Sequence, residues 1–145
     1  RSRGLGDVYK RQVFIYIAYE HLGYTDLKFS IIFFTLLFFY SFYAVKDAES
    51  EFKNKDPRQI VIDEVLGQAM PLILVLYLSQ NNQLSLSIEI YYVLSFIFFR
   101  FFDILKPFPV SYFDKNFKNY FGIIMDDIMA GLYSMILIYL ISFKF

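Results

Sequence analysis

Two pairs of adjacent carboxylates and one run of alternating charge stand out from a mostly apolar sequence. Asp63 sits beside Glu64, Asp126 beside Asp127, and Arg100, Asp103 and Lys106 recur every third residue. The chain has no Cys and a single His, so thiolate chemistry and His-rich metal sites are excluded. Convergent carboxylates without soft ligands suit a hard, oxygen-liking cation, Mg2+ in preference to zinc. Arg and Lys beside such a group suit a phosphate. The chemistry these residue types support together is phosphoryl transfer or phosphate hydrolysis, with a metal polarising the phosphoryl oxygen and generating or orienting the attacking water.

Each cluster also has a local explanation. In residues 55–68, KDPRQIVIDEVLGQ, Asp56 and Pro57 read as an N-cap with proline at the first helical position. A helix is then expected from about Pro57 onward, carrying Asp63 and Glu64 inward with Gly67 and Gln68 over them one turn later. Ionised groups entering an apolar segment are costly unless compensated, and the simpler account is a solvated interfacial pair. In residues 98–109, FFRFFDILKPFP, the three-residue spacing places Arg100, Asp103 and Lys106 along one helical face, and Pro107 should end that helix. Locally this is an ion-pair ladder with snorkelling cations. In residues 122–134, GIIMDDIMAGLYS, Asp126 and Asp127 precede Ala130, Gly131 and Ser134, small residues that let helices approach closely. An acidic first turn complementing the helix dipole would explain one of these aspartates better than two.

The elements that must position these groups are apolar and long. Hydrophobic residues make up 57% of the 145, and Lys plus Arg (14) balance Asp plus Glu (14), which disfavours nucleic-acid binding by bulk charge. Residues 29–45, 65–88, 90–99 and 128–143 contain no charge. They are membrane-helix candidates, the two shorter ones needing flanking residues to reach the ~20 required for a span. Residues 13–19 resemble the end of a further helix. Lys46, Lys53, Lys55 and Arg58 fall in one connection, and Arg100, Lys106, Lys115 and Lys118 in another. The stretch SQNNQLSLS, residues 79–87, has no Lys or Arg, and residues 20–28 have one. The positive-inside tendency puts the two basic connections on the cytoplasmic side, and with them all three charged clusters. Five carboxylates and two cations from three helices then share one membrane face. Residues 1–12 are polar and fit no span; they read as an extension or a truncated or non-native segment ahead of one helical domain over residues 13–145, and no signal peptide is expected.

The runs DPRQIVIDEVLGQ, FRFFDILKPFP and GIIMDDIMAG, in this order and spacing, resemble the phosphatidylglycerophosphatase A family. The resemblance covers roughly residues 56–134. It implies an all-α membrane bundle of four to five helices and a Mg2+-dependent phosphatase that removes the terminal phosphate of phosphatidylglycerophosphate to give phosphatidylglycerol. By matching motif it makes Asp63, Glu64, Asp103, Asp126 and Asp127 the acidic site residues, with Asp63, Glu64, Asp103 and Asp127 toward the metal and Arg100 with Lys106 toward the substrate phosphate. The implied setting is the bacterial inner membrane, with the site facing the cytoplasm and an oligomer permitted. The family's usual Pro-Gly-Thr-x-Gly-Ser segment has no match in residues 1–13, as in a member that has lost its N-terminal portion. His21 falls on the side opposite the carboxylates and is expected to be interfacial; attack by a carboxylate stays open beside the favoured metal-activated water. Two other classes compete: a non-catalytic bundle held by structural ion pairs, and a phosphotransferase using a CDP-alcohol, whose Asp-x-x-Asp-Gly run is missing. A water-soluble relative is disfavoured by the uncharged stretches.

Overall fold

The computed structural model describes residues 27–51, 62–117 and 119–143. Among these every regular element is an α-helix: α1 (Leu27–Glu51), α2 (Ile62–Gln80), α3 (Ile88–Leu105), the short α4 (Val110–Asn116) and α5 (Tyr120–Phe143). The expected all-α bundle is what forms. The segments 1–12 and 13–19, His21, the Asp56 and Pro57 cap, Lys53, Lys55, Arg58 and Lys118 lie outside the described residues.

Three of the helices, over Leu27–Lys46, Ile62–Gln80 and Tyr120–Phe143, are long and apolar enough to cross a membrane. The expected span at 90–99 is not among them: α3 carries Glu89 at its start and Arg100 and Asp103 near its end, so its uncharged centre is shorter than a bilayer core. The uncharged stretch 65–88 also overstates its helix. The helix stops at Gln80, and Asn82 takes a left-handed conformation (φ 53°) in the turn that follows. Asparagine tolerates that region because its short polar side chain bonds locally.

Packing fixes the directions of the helices. Near one end of the bundle Val45 of α1 meets Leu66 of α2 and Ile124 and Ile128 of α5. At the other end Val75 and Leu78 of α2 meet Tyr91 of α3 and Ile138 of α5. So α2 and α5 run parallel, with α1 and α3 antiparallel to them. A third cluster, Phe99, Val110 and Ala130, ties α3 and α4 to α5. The first described turn of α2, the last turns of α3 and the second turn of α5 therefore come to the same end.

The contact between α2 and α5 is the most extensive between the described helices, and two glycines with one proline line it. Pro71 lies inside α2 and has no N–H, so the carbonyl of Gly67 one turn earlier loses its helical donor. Gly131 backs directly onto that carbonyl: a Cβ there would stand 2.5 Å from the Gly67 oxygen. A Cβ on Gly67 would in turn stand 2.6 Å from the Asp127 carbonyl oxygen and 2.5 Å from the Phe99 ring. Ala130 and Ser134 are fully buried beside them, so the small-residue face expected from the sequence is the packing face.

Candidate functional site

The cluster is assembled by helix register. Glu64 on α2 accepts a hydrogen bond from Arg100 Nη2 at 3.1 Å, and Arg100 Nη1 donates to Asp103 Oδ2 at 2.9 Å. Arg100 is thus the clasp between α2 and α3. Its guanidinium lies against the Phe99 ring, 5.9 Å from the centroid, which orients the planar fork. All three ionic side chains are mostly covered, at 15–21% exposure. Replacing Arg100 with Gln removes the charge that Glu64 and Asp103 share, and losing one partner of a mostly covered ion pair costs about 3 kcal/mol. The expected result is a clearly lower midpoint for thermal unfolding in detergent, with Arg100→Lys losing less than Arg100→Gln.

Lys106 does not continue the ladder along α3. The helix ends at Leu105, and Lys106 takes a left-handed C-cap conformation (φ 44°, ψ 59°) before Pro107. A non-glycine residue in that region carries local strain, and here it turns the side chain away from Asp103. Its Nζ donates to Asp126 Oδ2 on α5 at 2.8 Å and to Asp114 Oδ1 on α4 at 2.5 Å. Burial opposes the charge on Lys106, but the hydrogen bonds it donates to Asp114 and Asp126 outweigh it, and the ammonium is held above its ordinary range. The proline stop is as expected; the single-face ladder is corrected, because it holds for Arg100 and Asp103 only.

The aspartates of α5 are not a dipole-complementing first turn. The helix begins at Tyr120 and has no acid in its first turn, so Asp126 and Asp127 sit a turn further in, buried at 9% and 5% exposure. Asp63, half-buried on α2, feels the charges of Glu64 and Asp126, and Asp127 feels those of Asp63, Asp103, Asp126 and Glu64. Asp63 Oδ1 accepts the backbone N–H of Glu64 at 2.8 Å, as Asp126 Oδ1 accepts that of Asp127 at 3.0 Å. Arg100 and Lys106 are engaged by Glu64, Asp103, Asp126 and Asp114. Among the described residues no cation pairs with Asp63 or Asp127.

Buried carboxylates without a counter-charge are expensive, and that imbalance is the feature a divalent cation would relieve. The donor chemistry fits Mg2+, which binds through one or two carboxylates and completes its shell with water and substrate phosphate. Among the described residues no three Asp, Glu or His side chains are gathered into a metal-holding group. Gln68, the residue one turn beyond Glu64, adds a buried side-chain oxygen with no hydrogen-bond partner. All seven residues singled out from the sequence thus lie at one end of the bundle. The residue sequence reasoning missed is Asp114. Its only signal was a charge in a short aromatic segment, and its link to Lys106 requires the turn through Pro107 and Pro109 that brings α4 back. Tyr133 of α5 holds that turn by donating to the Phe108 carbonyl at 2.6 Å.

The fold and the site define a class: an all-helical enzyme of membrane-length helices, with an acidic centre flanked by cations suited to a phosphate ester. The family model for phosphatidylglycerophosphatase A matches residues 10–142. Phosphatidylglycerophosphatase A of Haemophilus influenzae is 34% identical over 122 residues, covering 84% of this chain and 69% of that protein. A Bacteroides thetaiotaomicron protein named "Putative phosphatidylinositol-3-phosphatase" is 40% identical over 84 residues, 58% of this chain and 48% of that one. Phosphatidylglycerophosphatase A of Escherichia coli is 43% identical over 47 residues, 32% and 27% of the two chains. No solved structure matches significantly. The chain belongs to the phosphatidylglycerophosphatase A family. It is a phosphatase of phospholipid metabolism, and its three apolar helices mark a membrane protein.

Proposed function

We propose that the protein hydrolyses phosphatidylglycerophosphate to phosphatidylglycerol and inorganic phosphate with Mg2+, at the cytoplasmic face of a bacterial inner membrane. The observation that supports this most is the split of the charged cluster. Arg100 is held by Glu64 of α2 and Asp103 of its own helix and Lys106 by Asp126 of α5, while no cation among the described residues pairs with Asp63 or Asp127. The first arrangement suits the non-bridging oxygens of a phosphate. The second suits a metal, for which Asp63 and Asp127 would be the holding residues, with Glu64 and Asp103 at its margin. When bound, Mg2+ supplies charge neutralisation at the phosphoryl oxygens and favours the attacking water.

The chain's own residues carry the rest of the reaction. Arg100, splinted by Glu64, Asp103 and the Phe99 ring, orients the phosphate without a large cost in side-chain ordering. Lys106 opposes the charge that builds on the oxygens as the phosphorus–oxygen bond breaks. Water attacks phosphorus, the bond to the glycerol oxygen breaks, and that oxygen leaves as the alcohol after taking a proton. The proton lost by water goes to a carboxylate oxygen of the cluster and from there to the departing glycerol oxygen. Because the carboxylates cluster at one end of membrane-length helices, a lipid headgroup can reach them while its acyl chains stay in the bilayer.

Phosphate release from phosphatidylglycerophosphate in mixed micelles tests the reading. Release is expected with Mg2+ and should fall to background with excess chelator. The same assay on phosphatidylinositol 3-phosphate addresses the substrate named for the Bacteroides relative, and faster release from it would replace the proposed lipid. If a well-folded sample releases phosphate from neither lipid, the catalytic reading of this site fails.

A further inference from the structure

Lys106 is met by more negative charge than it carries. Its ammonium bonds Asp126 on one side and Asp114 on the other, so one positive charge faces two negative ones. A phosphate dianion arriving at this lysine meets net repulsion unless one carboxylate gives way. The two are not equivalent. Asp126 is buried within α5 at 12% side-chain exposure, whereas Asp114 is 42% exposed. Asp114 stands on α4, a helix of seven residues. Lys106 is its one ion-pair partner among the described residues. An ammonium binds carboxylate and phosphate oxygens through the same charge-assisted hydrogen bonds, so a carboxylate at Lys106 makes the contact that a phosphate oxygen there would make.

We infer that the Asp114 carboxylate holds the place at Lys106 that the substrate phosphate takes, and that binding exchanges one anion for the other. This rests on the reading of Lys106 as a phosphate-side cation. Asp114 is then a positioning residue: it keeps the strained Lys106 aimed at the site between turnovers, and by re-forming its pair it helps expel inorganic phosphate after hydrolysis. The side chain bonds no reacting atom. Its effect falls on affinity for the anion and leaves the bond-breaking step alone.

The test uses inorganic phosphate as the probe, titrated calorimetrically into the detergent-purified protein with Mg2+ present. Asp114→Asn is expected to bind phosphate roughly three- to tenfold more tightly than the wild type, the scale of a partly exposed charge pair plus the like-charge repulsion it removes. The KM for the lipid should fall in step while kcat does not rise. Asp114→Glu, which keeps the competing charge, should bind phosphate as the wild type does. Unchanged or weaker phosphate binding in Asp114→Asn overturns the inference, and weaker binding together with a lower unfolding midpoint would assign Asp114 to holding α4 in place. A wild type that binds phosphate yet releases none from phosphatidylglycerophosphate removes the substrate reading while leaving the exchange to be judged on the binding data.

Discussion

Asp127→Asn is expected to reduce turnover by about 10³-fold without unfolding the protein, a loss on the scale of removing a group that stabilises charge in the transition state. The reasoning begins with cost. Asp127 is 5% exposed, lies in the field of four other carboxylates and has no cation among the described residues. Nothing in the packing of α5 needs a negative charge there, and an amide of the same shape would relieve the repulsion. Without metal, the unfolding midpoint of the variant should therefore be equal to or a few degrees above that of the wild type. Mg2+ should raise the wild-type midpoint through binding to the folded state and leave the variant unmoved. Asp63→Asn should behave in the same way, because Asp63 is the opposing carboxylate on α2.

This pattern separates an active centre from a structural ion-pair network. In a non-catalytic bundle the acids would be there to pair, and removing one would lower stability. Asp103→Asn supplies the comparison within the same molecule, since Asp103 is bonded to Arg100. Both activity and midpoint should drop there. If Asp127→Asn and Asp63→Asn retain turnover, or lose stability as Asp103→Asn does, the proposed site is removed. Circular dichroism and detergent-phase thermal unfolding on the same samples give both readouts.

The helical fold was legible because its signal is one of composition and spacing: uncharged stretches of near-span length, interrupted by charge at alternate connections. Absence of charge alone does not mark where a helix stops, and there the polar run 79–87, read as a connection, marked it. Residues 81–87 carry no charge yet form the turn after α2, because Asn, Gln and Ser satisfy backbone groups locally without contributing to a charge count. The site was legible as a set of residues and illegible as a set of pairs. A spacing of three made Arg100 and Asp103 partners correctly, since both stay inside α3. It misplaced Lys106, because one residue beyond the helix end the backbone turns left-handed and the face assignment no longer applies. Asp114 could not be found at all from periodicity, since its contact depends on where a proline-bounded turn sends a short helix. Sequence patterns describe elements; contacts across element ends belong to tertiary structure.

Gly131→Ala should cost more activity than its loss of stability explains, and the reason lies along the line where α2 meets α5. The added Cβ would stand 2.5 Å from the Gly67 carbonyl oxygen and 3.2 Å from both the Gly67 carbonyl carbon and the Met70 sulfur. The methionine can move, but the carbonyl is backbone and cannot turn away without bending α2. Proline at 71 has already removed the donor that would hold this carbonyl in the helix, so a displaced α2 regains nothing from its own hydrogen bonding. The two helices must separate, and overpacking of this kind costs about 1–3 kcal/mol. The functional consequence exceeds the stability cost. Asp63 lies one turn before Gly67 and Asp127 one turn before Gly131, so a wedge at the crossing shifts these two carboxylates relative to each other. Misplacing reacting groups by an ångström costs on the order of 10²-fold in rate. Activity should thus fall by about that factor at a temperature where the variant is still fully folded, accompanied by loss of the Mg2+-dependent rise in midpoint. Gly122→Ala is the control for a still tighter glycine in the same helix: its Cβ would collide with the carbonyl oxygen of Phe117, just ahead of α5, away from the α2 crossing. It should lower stability while the folded fraction keeps its response to Mg2+. If Gly131→Ala loses stability but binds metal and turns over normally per folded molecule, the close approach of α2 and α5 serves packing alone and the two aspartates do not act as a pair.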